Sequence, residues 1–117
     1  MNHAAINALV AERVMGWRRE VQDGTIIGYR DQQGKYRIIE GLDWAPNQFD
    51  PSRNIAHAME VLMTFNAYGI KKGMASVKGN KRWCHVLNDD ICIAICIAAL
   101  RAKGVADKDI EEVCGGG

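Results

Sequence analysis

The chain has 117 residues, with 15 Lys or Arg against 14 Asp or Glu, a formal charge of +1 and a hydrophobic share of 48%. That is enough chain to bury one core without disulfide or metal staples and too little for two domains, so residues 1–114 read as a single domain. The charge balance excludes a broad surface for duplex nucleic acid, so an anion site would have to be local, and the composition excludes a chain that is disordered throughout.

Taken from the start, Ala4 to Met15 places Ile6, Leu9, Val10, Val14 and Trp17 at helical spacing, with Asn2 as cap and Gly16 as stop. The segment lacks the long apolar run of a secretory signal. Thr25 to Arg30 and Lys35 to Glu40 are rich in β-branched and aromatic residues and flank a Gln-Gly turn, which predicts a hairpin. Gly28 inside the first strand points to a bulge or a close backbone approach. A loop from Gly41 to Phe49 follows. Asp50 and Pro51 then have the types preferred at a helix cap and first turn, predicting a helix from Pro51 to Tyr68 with Ile55, Ala58, Met59, Leu62 and Phe65 buried.

A second hairpin is predicted from Met74 to Lys78 and Lys81 to Leu87 around Gly79-Asn80. Strand alternation then puts Arg82, Cys84 and Val86 on one face and Lys81, Trp83, His85 and Leu87 on the other. Asp89 to Lys103 reads as a helix, capped by Asn88 and stopped by Gly104. It is apolar nearly all round from Ile91 to Leu100, which predicts burial on several sides or a subunit interface. Ten apolar residues are too few to span a bilayer, which takes about 20. A short acidic helix, Asp107 to Val113, ends the fold, and the Gly115–Gly117 tail is expected to fray. The order is helix, hairpin, helix, hairpin, helix. The expected architecture is an α/β (α+β) domain with one four-stranded, mostly antiparallel sheet covered by helices.

Three stretches carry a family resemblance: INALVAERVMGW (Ile6 to Trp17), DPSRNIAHAMEVL (Asp50 to Leu62) and ICIAALRAKGV (Ile95 to Val105). Met15-Gly16-Trp17 closing a first helix, Pro51-Ser52 opening a second, and Ala98-Ala99-Leu100 running to Gly104-Val105 together resemble the phage ABA sandwich domain family. The chain departs from that pattern between Arg18 and Phe49, which is longer and carries an extra hairpin. The resemblance implies an α/β sandwich of phage or prophage origin with no enzymatic activity assigned to it. With neither a secretory signal nor a bilayer-spanning run in the sequence, the expected location is the host cell cytoplasm.

The chemistry motifs agree with that absence. The four cysteines, Cys84, Cys92, Cys96 and Cys114, form no CxxC pair and sit largely among apolar neighbours, so the expectation is small buried hydrophobes rather than a metal site. His3 lies near the terminus, His57 beside a buried stripe, and His85 on the opposite strand face from Cys84, so no Cys–His dyad is expected. The acidic pairs Asp89-Asp90 and Glu111-Glu112 read as a helix start and a solvated face. No phosphate-cradling Gly-rich motif is present, and no cofactor is expected.

Binding is the class the residues favour. Arg53 in a first helical turn opposes the dipole, which suits an anionic ligand, although pairing with Asp50 would also explain it. Trp44 in the preceding loop offers a stacking face. Lys81 and Arg82 beside Trp83 put cations next to an aromatic, as a nucleotide phosphate and base require, and as a protected hairpin edge also shows. By analogy with compact phage proteins that counter host defence, and not from the residues themselves, the expectation is a non-enzymatic phage protein that sequesters a small anionic ligand such as a nucleotide immune signal, through Trp44, Arg53, Lys81, Arg82 and Trp83. A homo-oligomer formed through the apolar third helix is also expected, with neither membrane nor duplex nucleic acid as partner. The alternative is an inhibitor or adaptor that binds a host enzyme; an enzyme acting on the signal ranks third.

Overall fold

Helix α1 (His3–Arg13) begins where the Asn2 side chain accepts from the Ala5 amide, as the cap rule requires. The computed structural model describes residues 2–38 and 48–115. The chain leaves α1 through Gly16, at φ +69°, and the buried Trp17. It then enters an antiparallel sheet of three strands, β1 (Arg18–Gln22), β2 (Thr25–Arg30) and β3 (Tyr36–Arg37). Strand β1 extends the expected hairpin. Its RREVQ sequence is polar and mostly exposed, so alternation gives no sign of it. It is held by the Asp23-Gly24 turn, with φ of 52° and 78°, the two positive φ values that a tight hairpin demands.

Gly28 behaves as its sequence context suggests. The β1–β2 register shifts between Glu20 and Val21, opposite Gly28 and Ile26, and a Cβ on Gly28 would stand 2.6 Å from both the Arg37 carbonyl oxygen and the Tyr36 ring. Arg37 fastens this sheet to the helices. It makes a two-pronged ion pair with Glu60 at 2.9 and 3.1 Å, and its guanidinium lies 5.0 Å from the Trp17 ring centre and 5.2 Å from that of Phe49.

Helix α2 spans Ile55–Leu62, shorter at both ends than the predicted Pro51–Tyr68. Its cap is Asn54, whose side chain accepts from the Ala56 and His57 amides. Asp50 is unavailable for that role because its side chain is committed elsewhere. It accepts from Asn7 Nδ2 (2.7 Å) and Arg53 Nε (2.9 Å), while the Asn7 carbonyl takes the Ser52 amide (3.0 Å). Asn7, Asp50 and Ser52 are all buried, and this network ties the turn before α2 to α1. The Asp50 amide in turn donates to His57 Nδ1 at 2.9 Å. Ile55, expected in the stripe, is exposed at the helix start, and Ala58, Val61 and Leu62 form the buried face.

Residues Tyr68–Lys71, the first of them expected as the last residue of that helix, form strand β4. With β5 (Met74–Lys78) and β6 (Trp83–Leu87) it makes a second antiparallel sheet in the order β4-β5-β6. The single four-stranded sheet is therefore corrected to two three-stranded sheets among the described residues. The alternation on β6 holds: Cys84 and Val86 are buried, and Trp83, His85 and Leu87 are exposed. The loop between β5 and β6 has four residues rather than two, closed by the Gly79 amide donating to the Arg82 carbonyl at 2.9 Å.

Helix α3 (Ile91–Ala102) is capped by Asp90, and α4 (Asp107–Gly115) follows. Helix α3 separates two cores. Ile93, Cys96, Ala99 and Leu100 face α1, α4, Tyr29 and Phe49, whereas Cys92, Ala94, Ile95 and Ala98 face α2 and the second sheet. The chain itself thus supplies the burial that this apolar helix needs, so its apolarity carries no argument for a subunit interface.

Two measurements test this packing. Gly28→Ala should cost about 1–3 kcal/mol in chemical denaturation, because backbone and a packed ring must move. Gly69→Ala, with nothing within 4 Å of its Cβ, should stay within about 0.5 kcal/mol. The second concerns His57, whose pKa is lowered from 6.5 by burial, helped by the nearby Arg37 charge. Below that value the unfolded chain takes up a proton that the folded chain resists, so this stability is complete above the unfolded pKa and declines as pH falls beneath it. The urea midpoint should therefore drop more between about pH 7.5 and about pH 5.5 in the parent than in His57→Gln, which retains an acceptor; equal drops would contradict the assignment.

Candidate functional site

The C-terminal end of α3 and the β5–β6 loop build a highly basic recess. Helix α3 stops in a Schellman turn: the Gly104 amide donates to the Arg101 carbonyl (2.9 Å), and the Val105 amide to the Leu100 carbonyl (3.0 Å), with Gly104 at φ +81°. The loop closes onto this helix end at Gly79, where a Cβ would come within 2.8 Å of the Ala102 carbonyl oxygen. Between them lies a groove of about 750 Å³, within the size range of small-molecule clefts.

Its lining includes Lys78, Lys81, Arg82, Arg101 and Lys103 and no acidic residue. Five of the chain's 15 basic residues thus meet in one recess of a nearly neutral protein. Part of this charge answers the helix: Arg101 and Lys103 stand where the α3 dipole is negative. Lys103 also lies over the Phe65 ring, with Nζ 5.4 Å from its centre. Lys78, Lys81 and Arg82 come from the loop side and form no ion pair among the described residues.

A second groove of about 550 Å³ shares Arg82, Cys84, Arg101 and Gly104 with the first and continues to Trp83, His85 and Asp107. Trp83 is 43% exposed and stacks on His85, with ring planes 9° apart and centres 6.3 Å apart. His85 Nδ1 is hydrogen-bonded to Ser76 Oγ at 2.7 Å, across the β5–β6 register. Asp107 Oδ1 accepts from Arg101 Nε at 3.2 Å.

Of the residues singled out from sequence, Lys81, Arg82 and Trp83 come together here. Arg53 does not join them. It belongs to the turn before α2, not to the helix, and pairs with Asp50 at 2.9 Å, the structural role already weighed against ligand binding. Trp44 lies outside the described residues. Arg101 and Lys103 were not singled out, because in the last turn of a helix a basic residue has an ordinary explanation in the dipole. Only the approach of Gly79 to Ala102 brings them opposite the loop cations.

The remaining polar clusters are arranged for structure. His3 Nδ1 lies 2.9 Å from Ser52 Oγ, so His3 is anchored rather than loose at the terminus. Asp50 meets the serine at 3.4 Å and not the imidazole, and Ser52 is wholly buried, which is not the order of a nucleophilic relay. Cys84 and His85 point to opposite faces of β6, as strand geometry predicts. Burial raises the thiol pKa of Cys92, Cys96 and Cys114, away from the reactive thiolate. No group of three or more His, Cys, Asp or Glu among the described residues is placed to hold a metal ion, and no helix there is long and apolar enough to cross a membrane.

The comparisons agree with this architecture. No curated protein matches the chain. The structure of a phage protein from Bacillus cereus ATCC 14579, solved at 2.0 Å, superimposes with a TM-score of 0.59 at 25% identity, covering 87% of this chain and 92% of that one. The family model of the phage ABA sandwich domain matches residues 8–100, from within α1 almost to the end of α3. The chain belongs to the phage ABA sandwich domain family.

Proposed function

We propose that this phage protein is a non-enzymatic binder that sequesters a small anionic ligand, in particular a nucleotide immune signal of the cyclic oligonucleotide or cyclic ADP-ribose kind, in the host cytoplasm. The observation that carries the reading is the acid-free groove between the β5–β6 loop and the end of α3, lined by Lys78, Lys81, Arg82, Arg101 and Lys103. Five exposed cations gathered at a helix end and a closed loop, with Asp107 paired to one of them, make a local positive field that attracts an anion. Thr64, Asn66 and Asn80 on the same walls add uncharged hydrogen-bonding groups, and Trp83 next door offers a ring face for a base. Sequestration, not turnover, is the form of the proposal because the basic groove is lined by cations and uncharged groups, and the His85 and Asp107 side chains of the adjoining groove are engaged with Ser76 and Arg101.

A second reading, a protein that caps a host enzyme, is favoured by one observation. The outer face of β6 presents Leu87 at 79% exposure and Trp83 at 43%, with His85 between them, a partly apolar strip that a partner would cover.

Isothermal titration against a panel of cyclic nucleotides tests the first reading. At least one should bind, Lys81→Ala/Arg82→Ala should weaken it about tenfold or more, and heat-denaturing the complex should return the ligand intact. Ligand returned in cleaved form would mean an enzyme. No heat from any nucleotide, with no small molecule released from the purified protein, would overturn the reading. Stoichiometric recovery of one host protein, lost in Leu87→Asp, would then support the second.

A further inference from the structure

The two grooves are not independent. Arg82 and Arg101 line both, together with Cys84 and Gly104, so these residues form the shared border, or ridge, between the two recesses. The two recesses differ in chemistry. On one side are Lys78, Lys81 and Lys103 without an acid. On the other are the stacked Trp83 and His85, the apolar Val105 and Ala106, and the carboxylate of Asp107, which is 71% exposed. A phosphoryl group is repelled by that carboxylate and drawn to the lysines. A planar base has the opposite preference, since it gains from the indole face and has N–H groups to offer an acceptor.

Charge sets the size of the anionic part. One phosphoryl group carries about −1.5 to −2 near neutral pH, too little to answer five cations. Nor is Arg101 consumed by its ion pair: Asp107 takes Nε, which leaves the two Nη groups for a ligand. Asp107 is in this sense a positioning residue, holding the guanidinium on the ridge.

We infer that the two grooves are halves of one site for a nucleotide bearing at least two phosphoryl groups. The base lies against Trp83, one phosphoryl group sits on the Arg82–Arg101 ridge, and the other lies among Lys78, Lys81 and Lys103. This rests on the anion-binding reading above and adds to it a two-part ligand with a defined polarity across the ridge.

Titration of the full chain with adenosine 5′-diphosphate, adenosine 5′-monophosphate and pyrophosphate tests it, with thermal melts confirming that each variant is folded. In the parent protein the diphosphate should bind about tenfold or more tightly than either the monophosphate or pyrophosphate. Trp83→Ala should bring the diphosphate down to the level of pyrophosphate while leaving pyrophosphate unchanged. Lys78→Ala/Lys81→Ala should instead bring it down to the level of the monophosphate. Equal affinity for mono- and diphosphate would overturn the two-phosphoryl assignment, and pyrophosphate binding as well as the diphosphate would overturn the base half; in both cases anion binding itself would stand. Binding of none of the three, while a cyclic nucleotide does bind, would likewise remove this inference alone. Failure of every anion would remove both.

Discussion

Helix α3 is the element from which the rest of the structure follows. An ordinary surface helix buries one stripe and hydrates the other. This one buries two, because α1 and α4 close on one side and α2 with the β4–β6 sheet on the other. Small residues make that possible. Ala94, Ala98 and Ala99 are wholly buried, and side chains of that size let helices and strands approach from opposite directions. A larger residue at any of them would meet close-packed neighbours. The same requirement explains why Cys92 and Cys96 sit in α3: a thiol there is a small apolar filler, and its burial keeps it protonated.

The location of the candidate site is a consequence of how this helix ends. A buried helix must still satisfy its last carbonyls, and here the Schellman turn at Gly104 does so while turning the chain sharply toward the buried Val105. The exposed remainder of the helix end is negative, which suits Arg101 and Lys103. A tight approach by the Gly79 loop then adds Lys78, Lys81 and Arg82 from across the gap. Two groups of cations, each with a local rationale, meet in one recess whose combined charge has none. That excess, beside a recess of contrasting aromatic and acidic character, is what the proposal of a nucleotide ligand rests on.

The elements that escaped the sequence reading did so for identifiable reasons. Strand β1 has no hydrophobic alternation, since it lies at an edge and is held by backbone pairing, the Arg30–Glu20 ion pair and the turn before β2. The Asp23-Gly24 dipeptide was the available signal, and it is among the strongest that hairpins provide. Strand β4 was not foreseen, and its first residue was given to the preceding helix, because Tyr68 and Ile70, at an edge and partly exposed, do not announce a strand. The start of α2 moved from Asp50 to Asn54 because two residues of nearly equal capping preference lie four apart. Asn7, 43 positions earlier, decides between them by claiming the Asp50 carboxylate.

The sequence by itself determined whatever depends on neighbours along the chain. It placed the Asn2 cap, the Gly16 and Gly104 stops, the inward face of β6, the nearly all-round apolar character of α3 and the motifs that mark the family. It also brought Lys81, Arg82 and Trp83 to attention, since they are adjacent. Tertiary structure alone decided that there are two sheets rather than one, that Arg53 is held by Asp50, and that Arg101 and Lys103 complete the basic groove. The reason is physical. Caps, turns and periodicity are set by interactions spanning a few residues, whereas strand partnership and the pooling of charge depend on segments brought together only by packing. Here that packing turns on one contact, Gly79 against Ala102, whose closeness no pattern in either segment reveals.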